Sequence, residues 1–130
     1  MCMLSCPMKN LQQLDNEAPI IQQTLDLYEE LYGAIKLFPK KAQYLIGKRC
    51  EDNMLSFLEY SLLASSAAKE QKVRLLQIAA GKFDVLKILL RLAKDLKVLD
   101  TKKYISLEMK VREIGKMLGG WIRSLITQTS

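Results

Sequence analysis

Three cationic side chains in the stretch FDVLKILLRLAKD are spaced so that they could act together. Lys87, Arg91 and Lys94 stand at i, i+4 and i+7, which on an α-helix makes one narrow strip. Cations along one face can neutralise successive phosphates of a polyanion, in a way that is summed and independent of base sequence. Asp84 and Asp95 flank the strip, so the alternative is a set of intrahelical ion pairs worth about 0.2–0.5 kcal/mol each.

Two further groups of cations are candidates for the same chemistry. The second group is Lys40, Lys41, Lys48 and Arg49, and the third is Arg112, Lys116 and Arg123. Base stacking would also need exposed aromatic side chains, but Tyr44, Tyr60 and Tyr104 are expected in the core or at an interface. We therefore expect binding that does not depend on base sequence.

The charge of the chain is unevenly distributed. The total is +6 over 130 residues, yet residues 1–35 carry one lysine against five carboxylates, a net charge of −4. Residues 36–130 therefore carry +10. This asymmetry indicates a polyanionic partner for the body of the protein, although a solvated basic surface would produce the same count.

The composition argues against catalysis and metal binding. Histidine is absent, which removes the commonest general base and the commonest metal ligand. No glycine-rich phosphate loop or nucleophile elbow is present. Cys2, Cys6 and Cys50 are too few and too scattered for a disulfide framework or a metal site. We expect no catalytic residue, metal or cofactor; an enzyme that uses Tyr, Lys or carboxylates is the open alternative.

The N-terminal residues 1–18 are expected to form a flexible leader. They lack the basic n-region and the longer apolar stretch of a signal peptide. No apolar run in the chain reaches the ~18 residues of a membrane helix. Isolated cysteines fit a reducing compartment, so we expect a cytoplasmic protein that does not contact a membrane.

Four helices with short connections must position the candidate residues. The first is predicted from Pro19, with Asn16 as a cap, and the second carries an apolar stripe that begins at Leu45. Strand signals are nearly missing, because there is no sustained period-two alternation and no Asn-Gly or Asp-Gly hairpin. The fold class is therefore all-α, an up-down-up-down four-helix bundle over residues 19–127. The predicted helices are 19–37, 41–68, 69–97 and from Asp100 or Thr101 to 126.

The third and fourth helices carry signs of an oligomer. Helix three is apolar on far more than one face, which predicts that a second subunit covers one of them. Helix four has an unbroken core stripe of Tyr104, Leu107, Val111, Ile114, Leu118, Trp121 and Leu125. Gly115 and Gly119 fall beside this stripe and form a groove of small residues. They either fit around Trp121 inside the monomer or receive a helix of another subunit.

Four segments of this chain are similar to a known family. FPK (38–40), GKR (47–49), LRLAKDLKVLD (90–100) and EIGKMLGGWI (113–122) resemble the accessory variability determinant (Avd) family of diversity-generating retroelements. The resemblance covers about residues 28–126. Four-helix-bundle proteins encoded in 23S rRNA intervening sequences share the same outline, and a protein of that type, whose role is undefined, is the alternative.

The resemblance to the Avd family implies a non-catalytic accessory subunit. It implies a homopentamer, a barrel-like ring of four-helix bundles with a basic surface. It also implies that the protein binds the reverse transcriptase and the template RNA of the retroelement, with DNA as a second nucleic acid. In this way the protein would support synthesis of the mutagenised cDNA.

Overall fold

The computed structural model describes the backbone of residues 11–129 and the side chains of residues 19–127. Four helices fill this range: α1 (Leu11–Lys36), α2 (residues 40–66), α3 (Lys69–Asp95) and α4 (Thr101–Thr129). Short connections make consecutive helices antiparallel, and each helix packs mainly against two others, α1 and α3 both lying between α2 and α4. The predicted all-α four-helix bundle is confirmed over the described residues, which contain no strand. The ring assembly stays a prediction.

The first helix begins earlier than predicted. It starts at Leu11, and Pro19 lies inside it instead of in its first turn. The prediction of a start at Pro19, with Asn16 as its cap, is therefore wrong. An internal proline removes one backbone donor and crowds the preceding turn, so packing of residues such as Leu27 and Leu31, both buried, must hold α1 in place. Residues 1–10 lie outside the described residues, and the flexible leader stays a prediction.

The second helix contains a π-helical turn. It is built from Lys40–Ala42, the π segment Gln43–Gly47 and the longer α segment Lys48–Ser66. Gly47 is buried in this turn, and a Cβ added to it would lie 2.8 Å from Cγ2 of Ile35. A residue without a side chain is therefore what allows α1 and α2 to approach at their corner. Leu45, five residues before the buried Cys50, is 59% exposed, so its predicted place in the core stripe is wrong.

The core lies between all four helices. Phe57 of α2 and Phe83 of α3 pack against each other there, with ring centroids 4.6 Å apart. The predicted stripe of α4 is confirmed, with Tyr104 and Trp121 half-buried at its edges and the other five members buried. The fully buried large side chains come from every helix and include Leu27, Leu31, Met54, Phe57, Leu76, Leu86, Leu107 and Ile114.

The connection between α3 and α4 is held by backbone hydrogen bonds and a side-chain cap. The N–H of Val98 donates to the carbonyl of Ala93 and the N–H of Lys97 to that of Lys94, the pair of bonds that defines a Schellman C-cap. Lys97 takes the left-handed conformation of this motif, with φ 65°. Asp100 Oδ1 then accepts the N–H of Lys103 at 3.0 Å, so the predicted cap of the fourth helix is confirmed.

The second apolar face of α3 is open to solvent in the single chain. Ile88 is 64% exposed and Leu96 60% exposed, whereas Leu86 and Leu90 of the same helix are buried. The exposed apolar face, as we call it below, consists of Ile78, Val85, Ile88, Leu92 and Leu96. Neither α3 nor another helix in residues 11–129 has the sustained hydropathy of a membrane span.

Candidate nucleic-acid interface

The cations of α3 lie along the groove between α3 and α4. Lys87 and Arg91 are exposed and Lys94 is half-buried. Lys94 Nζ stands 4.8 Å from the centroid of the Tyr104 ring on α4, a cation–π contact that fixes the side of α3 on which the strip lies. We call Lys87, Arg91 and Lys94 the α3 strip. It is flanked by the neighbouring helix on one side and by solvent on the other.

The intrahelical ion pairs of the alternative interpretation are also present at the α3 strip. Lys87 Nζ lies 3.2 Å from Asp84 Oδ1 and Lys94 Nζ 3.7 Å from Asp95 Oδ1. Both aspartate side chains are more than half exposed, so solvent screens the attraction and such pairs contribute about 0–1 kcal/mol. Pairs this weak leave the cations able to exchange a carboxylate for a phosphate.

The electrostatic environment of Tyr104 shows how closely α4 approaches the α3 strip. Partial burial of its hydroxyl, and then the charge of Glu108 together with a hydrogen bond to it, raise the pKa of Tyr104. The guanidinium of Arg91 lowers the pKa and so opposes them. Arg91 on α3 is thus one of the charges that act on Tyr104 of α4.

The second group of cations lies at the corner between α1 and α2. The exposed residues of the segment 40–49 are Lys40, Lys41, Tyr44, Leu45, Lys48 and Arg49. Lys48 Nζ stands 3.7 Å from Asp52 Oδ2, and both side chains are more than half exposed. Tyr44, expected in the core or at an interface, is 69% exposed; the core assignment is wrong. Sequence reasoning missed this residue because it assigned Tyr44 to the core or an interface together with Tyr60 and Tyr104.

The third group lies on α4. Arg112, Lys116 and Arg123 are exposed, and Arg112 Nη2 lies 3.7 Å from Glu108 Oε2. Arg123 folds back along its helix, so that its Nη1 lies 3.3 Å from the place that a Cβ on Gly119 would occupy. The arginine therefore covers part of the small-residue groove.

The groove of α4 has little packed into it within the bundle. A Cβ added to Gly115 would have no neighbouring heavy atom within 4 Å, and one added to Gly119 would meet only Arg123. Trp121 is half-buried and packs on the core. In the described chain these glycines therefore leave open space, and they are not needed to fit around Trp121. A contact between subunits at Gly115 and Gly119 stays a prediction.

Two of the three cation groups share one end of the bundle. The α1–α2 and α3–α4 connections lie at the same end because the helices alternate in direction, which places the second group and the C-terminal part of the α3 strip there. Lys97, Lys102 and Lys103 are exposed at this end too. Sequence reasoning left these three out, although the bundle topology that it predicted would have placed them there.

The described residues include one buried thiol and no candidate metal cluster. Burial, and then the charge of Glu51, raise the pKa of the Cys50 thiol to about 12, so this buried side chain is protonated at neutral pH. Within the described range, no cluster of three or more His, Cys, Asp or Glu side chains could hold a metal ion. The three cation groups and the exposed apolar face of α3 are therefore the candidate surfaces in this part of the chain.

Comparison with known proteins identifies the family. A family model described as bAvd-like matches residues 19–125, which contain most of the bundle and all three cation groups. A comparison with curated proteins finds no match. Avd-like proteins are accessory proteins of a non-catalytic kind, and they point to a diversity-generating retroelement. The resemblance seen in the sequence is thereby confirmed, and the chain belongs to the bAvd-like family.

Proposed function

We propose that this accessory protein binds the reverse transcriptase and the template RNA of a diversity-generating retroelement and so supports mutagenic cDNA synthesis. The family match supports the association with a retroelement. The observation that carries the RNA-binding part is the α3 strip, in which Lys87, Arg91 and Lys94 follow one groove of a body with net charge +10. The protein would work in the cytoplasm, where its thiols stay reduced.

RNA binding by this surface is electrostatic. Each cation that comes near a phosphate releases condensed counterions, so the contributions add and do not depend on the base. The aspartates beside Lys87 and Lys94 keep the strip partly neutralised until a phosphate displaces them. Binding of this kind holds a template without selecting its sequence, which suits an accessory subunit; the same cations would bind DNA.

The assembly that we propose is a homopentameric ring. The exposed apolar face of α3 is an argument that a second copy of the chain covers it, because monomeric proteins rarely leave a large contiguous apolar patch exposed. The open groove at Gly115 and Gly119 supports close approach of another helix. The number of subunits comes from the family. In such a ring the α3 strip would be repeated in each subunit and would present one circular field of positive charge.

Joint expression tests the proposed function. The tagged chain would be produced together with the reverse transcriptase and the template RNA, and co-purification and cDNA yield would be measured. We expect both partners to be retained, with RNA retention reduced by Lys87→Glu/Arg91→Glu. Arg112→Glu/Lys116→Glu, with the same change of charge on α4, is the matched control. If neither partner is retained by the wild-type chain, the proposal is wrong.

A further inference from the structure

One aromatic side chain stands among the cations at the α1–α2 corner. Tyr44 is 69% exposed, and its neighbours at i−4 and i+4 are Lys40 and Lys48. Lys41 and Arg49 are exposed on the adjoining part of the same surface. Four of the six exposed residues in the segment 40–49 are thus cations, and the fifth is a tyrosine.

The backbone beneath Tyr44 is firmly held. The side-chain amide of Gln43 donates to the carbonyls of Lys36 and Phe38, each at 3.0 Å, and so joins the end of α1 to the start of α2. Phe38 is buried, as is Gly47 against Ile35. π-Helical turns of this kind occur often at functional sites. Tyr44 is therefore an exposed side chain on a rigid corner.

The phenol ring of Tyr44 is also free to accept a partner. In the described part of the chain, Tyr32 has Tyr28 and Lys36 against its ring, and Tyr104 has Lys94. No such contact involves Tyr44 within residues 19–127. Proteins that bind single-stranded nucleic acids use exposed aromatic rings on a cationic surface. Bases stack on the rings, and the cations neutralise the phosphates beside them.

We propose that Tyr44 is a base-stacking residue of a single-stranded nucleic-acid site, in which Lys40, Lys41, Lys48 and Arg49 neutralise the flanking phosphates. This inference rests on the proposed function, to which it adds a contact with a base and a preference for single strands. A contact between subunits is the competing use of the surface. Tyrosine and arginine are common at protein–protein interfaces, but lysine is depleted there, so the three lysines favour the nucleic acid.

Two RNA probes test the proposal. One is an oligoadenylate of about 12 nucleotides, and the other is a duplex of about 12 base pairs, whose paired bases cannot stack on a protein side chain. We expect Tyr44→Ala to weaken binding of the oligoadenylate about ten-fold and to leave the duplex affinity unchanged. Tyr44→Phe keeps the ring and should bind like the wild type. Tyr32→Ala, at an exposed tyrosine outside the cluster, is the matched control.

Three outcomes would overturn the inference. The first is an unchanged affinity of Tyr44→Ala for the oligoadenylate, and the second is an equal loss on the duplex. The third is a change in the mass of the assembly, which would assign the Tyr44 side chain to a contact between subunits. If Tyr44→Ala has no effect while Lys87→Glu/Arg91→Glu weakens binding, the proposed function survives without Tyr44. If the wild-type chain binds neither probe at about 50 mM salt, RNA binding itself is wrong.

Discussion

The ammonium group of Lys94 lies 4.8 Å from the centroid of the Tyr104 ring, with α3 supplying the cation and α4 the aromatic. This contact gives the α3 strip a fixed orientation, because one of its three cations is held against the neighbouring helix. Arg91 and Lys87 follow at one-turn intervals and are exposed. The groove between α3 and α4 is therefore lined by positive charge whose position is set by packing.

The first prediction concerns the salt dependence of RNA binding. Replacing Lys87 and Arg91 by glutamate should weaken binding alike for unrelated sequences and flatten the plot of log affinity against log salt. The slope is about −0.7 for each phosphate engaged on a single strand, so its magnitude decreases as contacts are lost. Affinity across a salt series is the measurement.

Arg112→Glu/Lys116→Glu provides the comparison, because it makes the same change of charge on α4. We expect it to have a smaller effect on RNA affinity. A wild-type affinity in the α3 variant, together with a loss in the α4 variant, would move the site to the third group of cations. The assembly mass should stay that of the wild type in both variants, since none of the four residues belongs to the exposed apolar face of α3 or to the glycine pair of α4.

The second prediction is that Ile88→Glu disrupts the assembly. Ile88 is 64% exposed on the apolar face of α3, so a charge there would be buried without a partner if a second copy covers this face. Native mass spectrometry should show a shift from the pentamer to smaller species. Met109→Glu, at an equally exposed apolar residue of α4, is the control; a wild-type chain that is monomeric at micromolar concentration would contradict the prediction.

The third prediction separates the two uses of the glycine groove. Gly119→Leu should reduce the assembly mass while leaving the unfolding temperature of the dissociated chain nearly unchanged. The reason is that a Cβ added at this position meets only the flexible end of Arg123 within the bundle. A large fall in the unfolding temperature of the monomer, with assembly intact, would show that the groove serves internal packing. Gly33→Leu, at another open position, controls for side-chain bulk.

The fourth prediction compares two glycine-to-alanine changes. At Gly47 the new Cβ would lie 2.8 Å from Cγ2 of Ile35, so we expect overpacking to lower the free energy of unfolding by about 1–3 kcal/mol. At Gly81 the new Cβ has open space, and the same change should raise stability by about 0.5–1 kcal/mol through helix propensity. Chemical denaturation of both variants is the measurement, and equal effects would refute the close approach at the corner.

The fifth prediction is a pH dependence of the Asp100 cap. Hydrogen bonds from the backbone N–H groups of Lys103 and Lys102, with the charge of Lys103, lower the pKa of the Asp100 carboxyl. A lowered folded-state pKa means that the stabilisation is present above the unfolded value of about 3.9 and is lost as the pH falls through the folded value. Asp100→Ala should therefore lower the unfolding temperature at neutral pH and have a smaller effect in acid. An equal effect at both pH values would exclude the charged cap.

Sequence reasoning succeeded where a local pattern decides the structure. The 3-4 spacing of α4 identified its core stripe, and Asp100 identified its N-terminus, because both depend on residues within one or two turns. It failed where contacts between helices decide. The π turn at Gln43–Gly47 accompanies a close approach of α1 that no spacing records. Leu45 stands five residues before Cys50, a step that departs from the 3-4 period, and it lies outside the buried stripe. The start of α1 upstream of Pro19 likewise departs from the local preference of proline for the first turn of a helix.

The burial of Cys50 makes this thiol a built-in reporter of motion in the core. Its side chain has no solvent exposure, and a pKa of about 12 keeps it protonated, so a thiol reagent can react only when α2 separates from its neighbours. In a Cys2→Ser/Cys6→Ser chain, the rate of modification would therefore measure how often the bundle opens. The same measurement with RNA added would show whether binding at the surface reduces the rate at which the bundle opens.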